Sequence, residues 1–388
     1  MTSYIRTLDL RAGFTDQQVN VLVPRAAIDV AQAMESVASL LDDVAKRGVP
    51  AVVEVTKARD GVDPTPLKVS ETELEAALQR LDPELREAIE TSIERVRKVS
   101  LANLPLNTSV ELANGARVHQ RWQPVDSVGL YVPGGKAVYP SSVVMNVVPA
   151  QVAGVKRLVI ASPAQADFDG RPHPTVLATA KLLGVTDVYS MGGPAAIAAF
   201  AYGLGEFEGS AALNPVKMVT GPGNIFVTAA KRALRGRIGI DAEAGTTEIL
   251  IVADRSADPR LVAFDLVSQA EHDEAAAAVL VTDSADLVAG VSQLLGEIVE
   301  ATKHSERVAV ALGGTQSALV LTQSLEDSIR FANEYATEHL EIHTEDPSVV
   351  AGRITNAGAI FLGSYSPVSL GDYLAGSSHV LPTGEAAK

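Results

Sequence analysis

Gln269 and His272 stand three residues apart in the stretch SQAEH. They close a run, RLVAFDLVSQAEH, whose apolar residues recur at helical spacing behind an Asp258-Pro259 opening. On a helix, positions i and i+3 share a face, so the amide and the imidazole would point the same way. Such a pair suits a metal ion or a polar ligand. It equally suits a plain helix end, where a histidine favours the negative terminus of the dipole. A second pair, Glu338 and His339, stands at or just before the strand-like HLEIHT. At a strand mouth both side chains reach one cavity, and a carboxylate beside an imidazole divides base and acid work near neutral pH. The alternative is a solvated glutamate beside a half-buried histidine, with His343 further along expected to be exposed. Asp372 and His379 lie in GDYLAGSSHVLPT, which reads as neither helix nor strand. Asp372 is there either a third ligand beside Gln269 and His272 or an ordinary turn residue.

Three glycine turns form a second group of candidates. Pro133-Gly134-Gly135 follows VGLYV, Gly192-Gly193-Pro194 follows DVYSM, and Gly221-Pro222-Gly223-Asn224 follows KMVT, each feeding a helical stretch. Glycines at a strand-to-helix turn let an anion approach the helix amides. The usual G-x-G-x-x-G fingerprint is absent, so a dinucleotide site here would be unorthodox.

The elements that must position these residues follow a regular plan. Residues 26 to 59 are helical in pattern, Ser70 and Glu73 form a capping box, and Asp82-Pro83 opens another helix. Asn114-Gly115 between two alternating runs predicts a hairpin, with His119 on its second strand taken as structural or exposed. From Val128 onward, short β-rich runs (VGLYV, RLVIA, DVYSM, KMVT, EILIVAD, AVLVTD, SALVLT, HLEIHT, AGAIFLG) alternate with helical stretches. That alternation predicts an α/β fold of two doubly wound domains with parallel sheets, one inserted in the other. The pattern alone does not place the boundaries; the family resemblance given below implies a segment 1–23, a catalytic domain of 24–130 and 247–380, a nucleotide domain of 131–246, and a remainder 381–388.

Composition excludes several classes. The chain has 388 residues, a net charge of -15 and no cysteine. An acidic chain argues against nucleic-acid or anionic-membrane partners. Without cysteine there is no thiolate nucleophile and no sulfur ligand, so any metal sits on N and O donors. The opening MTSYIRTLDLRAG holds no apolar signal core, and no apolar run approaches the roughly 20 residues of a membrane span. The expectation is a cytoplasmic protein.

In their fixed order, VGLYVPGGKAVYPSSVVMNVVPA, GPGNIFVTAAKR, DAEAGTTEILIVAD, SQAEH, EHLEI and GDYLAGSSHVLPT resemble the histidinol dehydrogenase family over nearly the whole chain. The resemblance implies Rossmann-like domains in an aldehyde-dehydrogenase-like arrangement and a homodimer. It implies the last steps of histidine biosynthesis, oxidation of L-histidinol through L-histidinal to L-histidine with two NAD+ and one zinc per subunit. Gln269, His272 and Asp372 then match zinc ligands. Glu338 matches the base that activates water, and His339 the residue accepting the alcohol proton. Tyr131 and Asn224 match NAD contacts. Thr247 and His379, with His339 and the three metal ligands, match substrate contacts.

The chain also departs from the family pattern. Ala195 stands where an NAD-contacting glutamine is usual, Thr247 where serine is common, and Thr337 where proline precedes Glu-His. The family pattern continues past HVLPT to another zinc-ligating histidine and a substrate-binding glutamate. The expectation for this 388-residue form is therefore a three-residue zinc set, weak zinc binding and little activity. Other readings stay open on the residues: a dehydrogenase of another small alcohol, a catalytically silent homologue, or a zinc hydrolase with Glu338 as base.

Overall fold

The structure is a computed structural model that describes residues 4–25, 30–134, 138–207, 209, 212–243 and 247–377. The chain opens with strand β1 (Thr7–Asp9) and helix α1 (Asp16–Leu22). Helices α2 (Val30–Arg47), α3 (Val49–Asp60), α4 (Glu71–Arg80) and α5 (Pro83–Ala102) follow, then the hairpin β2 (Thr108–Ala113) and β3 (Ala116–Gln120). A first run of alternation comprises β4 (Ser127–Tyr131), α6 (Pro140–Ala153), β5 (Arg157–Ser162), α7 (Pro174–Leu182), β6 (Val188–Ser190), α8 (Gly193–Tyr202), β7 (Met218–Thr220), α9 (Ile225–Leu234) and β8 (Gly239–Ile240). A second comprises β9 (Glu248–Ala253), α10 (Pro259–Ala270), β10 (Ala277–Thr282), α11 (Ala285–Ala301), α12 (Ser305–Gly313), β11 (Ala318–Leu321), α13 (Leu325–Tyr335), β12 (His339–His343), α14 (Pro347–Ala351), β13 (Ala359–Leu362) and α15 (Val368–Tyr373).

Two compact units result: one of 1–28, 245–371 and 381–388, the other of 29–244 and 372–380. The first holds a six-stranded sheet in the order β1-β11-β10-β9-β12-β13, with every pairing parallel. Its strands read as unbroken apolar runs because both faces are covered. Ile249, Ile251, Leu280 and Leu319 pack under α10, α11 and α12. Leu250, Val252, Val281, Leu340 and Ile342 pack under α1 and α13 on the other face. Each such side chain contributes roughly 1.5–3 kcal/mol by leaving water.

The second unit holds the parallel sheet β6-β5-β4-β7-β8 and the separate hairpin. The division differs from the one read from the sequence. Residues 29–130 belong with the second sheet, and a boundary at 131 would cut β4. The reason is packing. Helices α2 and α3 share a core with α8 and α9 on one face, and α4 and α5 share a core with α6 and α7 on the other. Backbone bonds Val69 N–H to Val188 O (2.8 Å) and Ser190 N–H to Leu67 O (2.7 Å) stitch the α3–α4 connection to β6. The hairpin forms around Asn114-Gly115, with Gly115 at φ 82, and is exposed throughout. Among the described residues, no helix is long and apolar enough to cross a membrane.

Candidate active site

Thr247 immediately precedes β9 and Glu338 immediately precedes β12, and these strands are parallel neighbours with His339 opposite Ile249. Both residues therefore stand at the amino ends of adjacent strands. Helix α10 leaves the far end of β9 and runs back. Its 12 residues span about 18 Å, close to the ~20 Å of a six-residue strand. This matched length returns Gln269 to the level of Thr247.

The contacts there form a directed chain. The Gln269 side-chain amide donates to Thr247 Oγ1 at 2.7 Å, and the Thr247 hydroxyl donates to Glu338 Oε2 at 2.8 Å. The Glu248 backbone N–H adds a 3.3 Å bond to the same carboxylate oxygen. An ionised carboxylate only accepts, so the single hydroxyl proton goes to Glu338 and the face turned to Gln269 must accept. That fixes the Gln269 amide with its nitrogen on Thr247, leaving its oxygen as the group to offer a ligand. His339 is fixed likewise. Its Nδ1 lies 3.0 Å from the Glu248 carbonyl oxygen, which accepts only, so Nδ1 carries the proton and Nε2 is the basic nitrogen.

Arg25 braces this corner, a role that nothing in its sequence neighbourhood signals. Its Nε donates to both Glu248 carboxylate oxygens at 2.7 and 3.0 Å. Its Nη2 donates to the carbonyls of Tyr335 and of Ala336, the latter at 2.9 Å. Ala336 ends α13 in the left-handed region at φ 49, so these bonds hold the turn that aims Glu338. On the other side Ala359 N–H donates to the Glu338 carbonyl at 2.8 Å. Gly358 is needed beside it, because a Cβ there would stand 2.6 Å from that oxygen.

The structure thus brings together Thr247, Gln269, Glu338 and His339. His272 follows on the surface past the end of α10, its backbone N–H donating to Gln269 O at 3.2 Å. Gln269 and His272 fit a cation, since a locked amide oxygen and an exposed imidazole are both N/O donors. Asp372 lies in α15 rather than in a loop, and it groups with the second unit. His379 lies outside the described residues.

Tyr131 and Asn224 belong to the second unit. In its strand order, β4 lies between β5 and β7, so the direction in which successive strands are added reverses between β4 and β7, the switch point where ligands bind in such sheets. Gly221, after β7, has φ 119, and a Cβ there would stand 2.0 Å from Tyr131 O, so the two loops meet backbone to backbone. The Gly221 amide donates to Asp241 Oδ2 at 2.8 Å, and Lys231 bonds the same carboxylate at 2.7 Å. Asn224 caps α9, accepting from Phe226 N–H and Val227 N–H at 3.1 and 3.2 Å. Tyr131 is buried, which pushes its phenol pKa upward, and its oxygen accepts the Gly193 N–H at 3.1 Å. With Gly193 at φ 58 and open space where a Cβ would stand, the turn after β6 also fits the approach of a phosphate.

Comparison with known proteins decides the family. The family model for histidinol dehydrogenase matches residues 23–388. The chain belongs to the histidinol dehydrogenase family. The histidinol dehydrogenase of Leifsonia xyli subsp. xyli is 54% identical over 385 residues, 99% of this chain and 87% of that protein. That of Thermobifida fusca is 54% identical over 387 residues, 100% of this chain and 86% of that protein. The crystal structure of histidinol dehydrogenase from Elizabethkingia anophelis superimposes with a TM-score of 0.92 at 30% identity, covering 100% of this chain and 87% of that one. An oxidoreductase of histidine biosynthesis is what this family provides, and the α/β fold with parallel sheets is shared with it.

Proposed function

We propose that the chain oxidises L-histidinol through L-histidinal to L-histidine, using two NAD+ and one zinc ion per subunit. The observation that carries this is the Gln269–Thr247–Glu338 chain beside an Nδ1-protonated His339. When bound, NAD+ accepts the hydrides and zinc holds the substrate's amino and imidazole nitrogens. Gln269, His272 and Asp372 would hold the metal, Thr247 and His379 would contact substrate, and Tyr131, Asn224 and the switch-point loops would hold NAD.

His339 Nε2 takes the carbinol proton as the C–H bond loses its hydride, giving the aldehyde. Glu338 then removes a proton from water as the water oxygen adds to the aldehyde carbon, while His339 returns its proton to the aldehyde oxygen; the freed Nε2 takes a hydroxyl proton from the resulting hydrate during the second hydride loss. Excluding thiol chemistry is consistent with the cysteine-free sequence. The enzyme works as a homodimer in this reading, supported by the exposed apolar face of the hairpin, and as a cytoplasmic protein without membrane or nucleic-acid partners.

The test follows NADH on the purified chain with L-histidinol, NAD+ and zinc. The expected yield is two NADH per histidinol, abolished by chelation. Glu338→Gln is expected to retain the first oxidation and release about one NADH per histidinol. No histidinol-dependent NADH at any zinc concentration would sink the reading.

A further inference from the structure

Strand β12 departs from the pattern of its sheet. Its even-numbered side chains, Leu340 and Ile342, join the apolar core under α13. Its odd-numbered ones, His339, Glu341 and His343, occupy the face where β9, β10 and β11 place aliphatic residues under α10. Glu341 and His343 are 0% and 1% exposed, so this is no solvent face. Opposite them α10 supplies Asp265, one helical turn before Gln269.

These three groups converge in one buried place. One ligand atom from each lies within 4.8 Å of the others. His343 Nε2 is 3.3 Å from Glu341 Oε2 and 3.8 Å from Asp265 Oδ2. Yet Glu341 Oε2 and both ring nitrogens of His343 are buried with no hydrogen-bond partner. A divalent ion at ~2.1 Å from each donor in a tetrahedral site separates its ligands by about 3.4 Å. The separations of 3.3 and 3.8 Å lie close to that edge length.

We infer that Asp265, Glu341 and His343 form a second cation site, one that takes a divalent transition ion such as zinc. Two carboxylates balance the ion's charge in a buried place, and the imidazole selects a borderline ion over magnesium or calcium. Glu341 is oriented for this by its other oxygen, which accepts the Val368 N–H at 2.9 Å. Asp265, the partly exposed member at 14% side-chain exposure, gives the ion its way in. Burial, then the charge of Glu341 and a hydrogen bond with it, push the Asp265 carboxyl up to about 8. The ion would tie α10, β12 and the start of α15 together one turn from Gln269, a structural support beneath the residues assigned to catalysis.

The site does not depend on the zinc assigned to Gln269 and His272, and metal counting separates the two. Metal-free protein is equilibrated with zinc, freed of excess, and its zinc measured per subunit. Two ions are expected for the wild type and one for His343→Gln, while a Gln269→Ala/His272→Ala variant keeps one. A wild type with one ion that His343→Gln loses supports this site and removes the other. A His343→Gln protein with as much zinc as the wild type overturns this site. Should that variant fail to fold, Asp265→Asn at the exposed edge is read the same way. Its retention of the wild-type count, with no loss of the zinc-induced rise in Tm, is equally decisive against it.

Discussion

Thr247 shows how one hydroxyl decides what its neighbours offer. Its proton goes to Glu338 and its lone pair takes the Gln269 amide, so the orientations of the Gln269 amide and the Glu338 carboxylate are set together. Serine keeps the hydroxyl and valine keeps only the shape. Thr247→Ser is expected to retain zinc affinity and turnover. Thr247→Val frees the Gln269 amide to rotate and removes a donor from Glu338. Loss of such a supporting partner typically weakens metal binding about 10–100-fold, with turnover falling alongside. Zinc titration with a competing chelator would measure it. Unchanged affinity in the valine variant would mean that Gln269 is not a ligand or that its orientation is set elsewhere.

At the scale of elements, α13 and its exit turn carry Glu338, and Arg25 holds that turn by three groups at once. Arg25→Lys keeps the charge but not the planar fork. It is expected to lower stability by about 1–3 kcal/mol through lost charge-assisted bonds and to reduce kcat more than KM. Equal loss in both constants would place the effect outside Glu338 positioning. Another helix start carries a pH dependence. His173 caps α7 by accepting the Thr175 N–H on Nδ1, and burial lowers its pKa below 6.5. The lowered pKa means that the unfolded chain binds the proton first. The cap's stability is present above about pH 6.5 and is lost as pH falls toward the lower folded value. His173→Asn, whose cap does not titrate in this range, is expected to flatten the fall of Tm between about pH 7 and 5. Parallel melts of the two proteins would show it.

Much of this was legible in the sequence, and the misses have physical causes. The long strands showed because burial on both faces demands continuous apolar runs, as in EILIVA and AAVLVT. Strands β1 and β8 did not, since at three and two residues they exist only through pairing with β11 and β7. Amphipathic helices α2 to α5 announce a buried face but not which sheet covers it, hence the misplaced boundary. His343 was expected on the surface because alternating polar residues usually face water, and only the position of α10 buries it. Arg25 acts on groups more than 200 residues away in the chain, which no local pattern records.

For the whole molecule, the outstanding feature is the β2–β3 hairpin. Val110 pairs with Val118 across it, and Leu112 follows at the register shift between Glu111 and Ala113. These three are 54%, 56% and 69% exposed in the order Val110, Val118, Leu112. A two-stranded ribbon is marginal in water by itself, and an apolar face left open on one marks an interaction surface. A second copy of the chain is the occupant that the homodimer reading supplies, and a two-fold arrangement would bury the patch twice. Leu112→Glu with Val118→Glu then places like charges in an apolar contact, each one repeated by symmetry. The dimer dissociation constant is expected to rise by about 100-fold or more, while near-UV circular dichroism of the sheets stays unchanged because the hairpin is separate from both. Sedimentation of the variant as a dimer at wild-type concentrations, or of the wild type as a monomer, would assign this face to something other than self-association.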